Sequence, residues 1–157
     1  MKLMKNRVKY VIIPLVVVGF LFGIYFQRKS ILIISDRSND KEYTFVLPNN
    51  KFSLGYTHSV MKTDAMENFV VEKNKMKLIS TIYQSYGVGL PFLPEEGQLE
   101  IIDGKFVLKT NRTFETINMT ISPLGNHYLK IEETTYRFED IVGKETVKIL
   151  VRVSKKN

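Results

Sequence analysis

"KFSLGYTHSVMKTDAMENFVVEK", Lys51 to Lys73, decides how this chain is read. Apolar and aromatic side chains stand at every second position in its first half, at Phe52, Leu54 and Tyr56, and again in its second half at Phe69 and Val71. Period two belongs to a strand with one face on a core, and two such runs around a polar link read as a hairpin. A turn centred between Lys62 and Thr63 sets His58 opposite Glu67, Tyr56 opposite Phe69, Leu54 opposite Val71 and Phe52 opposite Lys73. A slip of one residue would carry the whole apolar set to the other face, which the pattern resists.

The alternation continues on both sides of this stretch. "EYTFVLP", "KLISTIY", "QLEIID", "KFVLKT", "ETINMTI", "HYLKIEE", "TTYRF" and "TVKILVRV" are short runs rich in Val, Ile, Thr, Tyr and Phe. Turn residues separate them, at Pro48 to Asn50, at Asp103-Gly104 and at Pro123 to Asn126. Asp103-Gly104, between "QLEII" and "KFVLKT", is the cleanest hairpin signal of the three. No convincing helical period follows Lys29. The expected fold is all-β, an antiparallel β-sandwich or partly open barrel of about eight to ten short strands over residues 30–157. Gly87 to Gly97, "GVGLPFLPEEG", is the longest stretch without strand character and has the length of a binding loop.

Tyr10 to Phe26, "YVIIPLVVVGFLFGIYF", carries no charge over 17 residues. As a helix it would be roughly 26 Å long, near the lower limit for crossing a bilayer. Tyr10 and Tyr25 stand at its ends, where amphipathic rings favour the membrane interface. A cleaved signal peptide would need small residues after the apolar core, whereas "IYFQRKS" is bulky and then basic. A retained single-pass signal-anchor is therefore expected at residues 10–27. Four basic residues precede the span and two follow it, which places residues 1–9 in the cytoplasm and residues 30–157 outside it. The expected location is the cell membrane, with an extracytoplasmic C-terminal domain.

The formal net charge of +7 points at first to nucleic acid. Six of the basic residues, however, lie in the first 29, and the rest of the chain holds 17 basic against 16 acidic residues. No basic face remains for a nucleic acid. There is no cysteine, which excludes a disulfide framework, thiolate metal sites and a cysteine nucleophile.

His58, Ser59 and Glu67 are the first candidates for a site. In one reading Glu67 fixes and charges His58, which binds an anion or acts as a base. In the other, the polar pair closes the open end of the sheet and Ser59 caps a turn. A Ser-His-acid hydrolase fits poorly, because Ser59 points to the opposite face of a regular strand and no G-x-S-x-G motif is present. The second candidate is "SYGVGLP", Ser85 to Pro91, whose glycines could present backbone N–H groups to an anion or simply make a tight turn. His127 opens a strand after a turn and is read as structural. Two distant histidines give no zinc pattern, and "SDRSND", Ser35 to Asp40, is read as a polar turn rather than a calcium loop. No metal and no cofactor is expected.

"HSV" at His58 to Val60, Glu67, "YGVGLP" and "ISPLGNHYLKI" together resemble the bacterial family called domain of unknown function 1850. The resemblance spans about Phe52 to Leu129. Met61 departs from it, since an acid commonly follows H-S-V there; charge at that point would have to come from Asp64. The resemblance implies a small exported or anchored domain, often encoded beside TRAP transporters that use a TAXI substrate-binding protein. No chemistry comes with it, only positions: His58, Ser59, Val60, Glu67, Tyr86, Gly87, Gly89, Leu90 and Pro91. The expected function is a membrane-anchored accessory or binding module of a TRAP-type solute transporter. Its partners would be the permease, the TAXI protein or a small-molecule ligand. The alternatives are a hydrolase-like enzyme using the His58–Glu67 pair and a structural envelope protein.

Overall fold

The computed structural model describes residues 29–58, 62–84 and 97–155. The anchor expected at residues 10–27 lies outside them, as do Ser59 and Tyr86 to Pro91. Among the described residues no helix is long and apolar enough to cross a membrane.

Eleven strands form two antiparallel sheets packed as a sandwich that does not close into a barrel. The four-stranded sheet has the order β2 (Lys41–Leu47), β1 (Ser30–Asp36), β11 (Val147–Lys155), β8 (Thr116–Ile121). The seven-stranded sheet has the order β10 (Thr134–Arg137), β9 (Tyr128–Ile131), β3 (Lys51–Thr57), β4 (Asp64–Glu72), β5 (Lys75–Tyr83), β7 (Lys105–Phe114), β6 (Gln98–Ile102). Ten of these strands fall on the alternating runs of the sequence. The eleventh, β1, was not among them. Its "ILII" carries isoleucines on both faces, so the sequence hides the period of two, although burial along β1 does alternate, with Leu32 and Ile34 buried and Ile31 and Ile33 half-buried.

Of the three turn signals, Asp103-Gly104 makes the expected hairpin, with positive φ at both residues and Ile102 paired to Lys105. The other two do something else. Pro48 to Asn50 and the 3₁₀ turn Pro123–Gly125 carry the chain from one sheet to the other. A short helix, α1 (Phe138–Val142), makes another such crossing between β10 and β11 and buries Phe138 completely. Five residues are too few to leave a helical period in the sequence.

The main core lies between the sheets. Leu32, Ile34, Leu47, Ile121, Val147, Ile149 and Val151 of the smaller sheet meet Phe52, Leu54, Phe69, Val71, Met76, Leu78, Leu129 and Ile131 of the larger. Phe52 and Phe69 stack across β3 and β4, with ring centroids 4.9 Å apart and planes 7° apart. That contact follows from a register different from the expected one. Phe52 pairs with Phe69, Leu54 with Glu67, Tyr56 with Ala65 and Thr57 with Asp64. The turn is thus centred two residues earlier, and His58 is level with Thr63, to whose carbonyl its N–H donates at 2.8 Å. An even shift keeps each side chain on its expected face, so alternation alone could not tell the two registers apart.

Candidate functional site

Beyond the main core, the inner face of the seven-stranded sheet continues without a matching apolar partner from the other sheet. A second cluster of Ala65, Tyr83 and Leu108, with Tyr56 and Phe106 against it, draws no residue from the four-stranded sheet. Pairing places these residues in rows across the strands. One row runs Tyr56, Ala65, Tyr83, Phe106, Ile101; the next runs Leu54, Glu67, Thr81, Leu108, Leu99. Glu67 therefore sits between the two apolar clusters, diagonal to a tyrosine on either side.

A carboxylate in that position is costly, because burial favours the neutral form. Burial raises the pKa of Glu67 above its ordinary value, and the charge of Arg112 only partly opposes it. Among the described residues no hydrogen bond or salt bridge satisfies the Glu67 carboxylate. Arg112 is exposed, and its guanidinium carbon stands 5.4 Å from the Phe114 ring centroid. The pKa of Tyr56 is raised too, first by burial and then by the negative charge of Glu67, so its hydroxyl remains a donor at neutral pH. A register shift between Asn68 and Phe69, opposite Ser80 and Leu78, bends the sheet beside Glu67.

His127 completes the row. Its ring lies 6.1 Å from that of Tyr56 at an angle of 28°. The imidazole Nδ1 is 3.3 Å from the Ser122 carbonyl oxygen, so Nδ1 carries the proton and Nε2 the lone pair when the ring is neutral. Burial lowers its pKa, with the Ser122 carbonyl pulling weakly the other way. Gly125 makes room for this ring, since a β-carbon there would stand 2.2 Å from His127 Cε1. The carbonyl of His127 accepts from the N–H of Phe138 at 3.0 Å, which ties the strand start to α1. On the outer face, Gly55 plays a similar part for Tyr128, whose ring would be 2.0 Å from an added β-carbon.

The sequence candidates divide accordingly. Glu67 is on the inner face as expected, but its cross-strand partner is Leu54 and not His58. His58 is buried at 8 % exposure, level with Thr63 and roughly 13 Å along the strand direction from Glu67. The structure does not bring that pair together, which removes the geometric basis for Glu67 as orienter of a His58 base. Ser59, Tyr86, Gly87, Gly89, Leu90 and Pro91 lie outside the described residues. Tyr56 and His127 were missed as site residues. Tyr56 had been counted as a core aromatic, and His127 comes from a strand far along the chain; Gly125, two residues before it, was the one local sign of a close approach. Among the described residues no group of three or more His, Cys, Asp or Glu side chains could hold a metal ion.

A family described as "Domain of unknown function (DUF1850)" matches residues 52–138, which contain β3 from its second residue, β4 to β10 and every side chain of this cluster. No curated protein and no solved structure matches the chain.

Proposed function

The chain belongs to the DUF1850 family, and from that premise we propose that it is a membrane-anchored extracytoplasmic binding module that serves a TRAP-type solute transporter. One observation carries the binding part of this reading. Among the described residues Glu67 is a carboxyl without a hydrogen-bond or salt-bridge partner, on the inner face of a β-sandwich where a stability-driven sequence would place an apolar residue. Natural folds keep such groups where a ligand or partner uses them. The aromatic neighbours Tyr56 and His127 give that carboxyl a defined wall.

The anchoring part rests on the uncharged Tyr10 to Phe26 segment and its basic flanks. Ser30 begins β1 beside Asn50, whose side-chain oxygen accepts from the Ser30 N–H at 3.2 Å. Asn50 precedes β3, and Tyr56 lies at the other end of that strand, so the cluster is held roughly 20 Å from the anchored end. That clearance lets a second protein or a solute reach the cluster above a membrane surface. The transporter link itself comes from the family resemblance.

The test is solute uptake in cells expressing the full chain or its variants with the cognate permease and TAXI protein. Glu67→Gln and Tyr56→Phe should each lower uptake about tenfold at unchanged membrane levels. Wild-type uptake in both variants would reject the module as a binding partner in transport.

A further inference from the structure

Resting on the reading of this inner face as a binding site, we propose that Glu67 receives the ammonium group of a small organic amine, flanked by the ring of Tyr56. Three features of the face select that chemistry. First, among the described residues Glu67 is the one carboxylate on the inner face of the seven-stranded sheet, and it lies diagonal to Tyr56 and Tyr83 across the small Ala65. A carboxylate beside aromatic rings suits a cation carried on an apolar body. Second, apart from Thr81, which pairs with it across the strands, the side chains around it are apolar or aromatic: Leu54, Ala65, Phe69, Leu108 and the two tyrosines. They suit the hydrocarbon of an amine and offer too few oxygens for a metal ion, which requires several. Third, the positive charge that bears on Glu67 belongs to Arg112, and Arg112 makes no salt bridge to it. The guanidinium stays exposed over Phe114, so a bound ammonium would supply the partner that is missing among the described residues.

An anion is disfavoured by the same face. His127, the other ionisable ring in the row, is held toward its neutral form by burial, and Glu67 would repel a second negative charge. The stacked Tyr56–His127 pair holds the Tyr56 ring in one orientation from the side away from Glu67.

The experiment is a calorimetric titration of the full-length protein in lipid nanodiscs with benzylamine, benzyl alcohol and phenylacetate, three probes of one shape and different charge. Benzylamine should bind, and the other two should bind at least about tenfold more weakly. Glu67→Gln should weaken benzylamine about tenfold, while Arg112→Gln should tighten it two- to fivefold by removing a competing cation, roughly what one partly screened charge supplies. A merely structural role for Glu67 predicts no gain in the Arg112 variant. Equal binding of benzyl alcohol, or unchanged benzylamine affinity in Glu67→Gln, would overturn the ligand class. If Glu67→Gln abolishes uptake yet no probe binds, the amine is wrong and the transport module stands. If uptake and binding are both untouched by Glu67→Gln, both readings fall.

Discussion

Strands β3 and β4 pass through two environments within a few residues. At one end Phe52 stacks on Phe69, and Val71 and Leu54 join a core to which both sheets contribute. At the other end the same two strands present Tyr56, Ala65 and Glu67 to a smaller cluster built from one sheet alone. The alternation is identical in both halves; the chemistry is not. In the first half every inner position is apolar, so burial is pure gain. In the second, tyrosines, a histidine and a carboxyl occupy inner positions at a cost in stability. One end holds the fold together, and the other carries that cost.

Substitutions should separate the two ends. The largest effect is expected at Phe69→Ala, which removes a fully buried ring and its stack on Phe52, a loss of about 3–5 kcal/mol. Chemical denaturation of the full chain in detergent would read it, and a loss under about 1 kcal/mol would mean that the two ends do not differ. Gly125→Ala should cost about 1–2 kcal/mol because the His127 ring must leave its place. Its benzylamine affinity should fall as well.

Glu67→Gln should move stability the other way, a gain under about 1 kcal/mol at neutral pH. The pH dependence follows from the raised pKa. Wild-type stability falls as pH rises from the ordinary carboxyl range through the higher folded value, and the glutamine variant lacks that fall. His127 has the opposite sign. Its lowered pKa makes stability fall as pH drops below the ordinary imidazole value, a loss that His127→Gln should remove. Unfolding curves between pH 4 and pH 8, chosen to bracket the ordinary ranges, would resolve the two slopes. Neither slope should appear if the His127 ring and the Glu67 carboxyl are as solvated as surface groups. The smallest effect is expected at Ile101→Lys, since Ile101 is 70 % exposed on edge strand β6; a change within about 0.5 kcal/mol is the expected result.

Much of this was legible in the residues alone. Half-buried strands announce themselves by alternation, so β2 to β11 were visible, and Asp103-Gly104 named its own hairpin. The central strand β1 was not, because "ILII" is apolar on both faces. The register between β3 and β4 was off by an even number, since alternation fixes the face of a side chain but not its partner. What decides the partner is the Phe52–Phe69 stack, a property of two rings meeting in space. The site was half legible for the same reason. Glu67 stood out as the acid that opens the "ENFVVEK" run, but its companions Tyr56 and His127 are joined by pairing of β3 with β9, which no local pattern encodes.

The place of β11 has a consequence for the making of the protein. It is the last strand of the described chain, yet it lies between β1 and β8, with Ser30 paired to Lys155. Until Val147–Lys155 has emerged, β1 lacks one neighbour and β8 has none within its sheet, so the seven-stranded sheet has nothing complete to pack on. A chain made from its amino end would therefore wait, unfolded or half-sheeted, until its final strand emerges, and then close in one cooperative step.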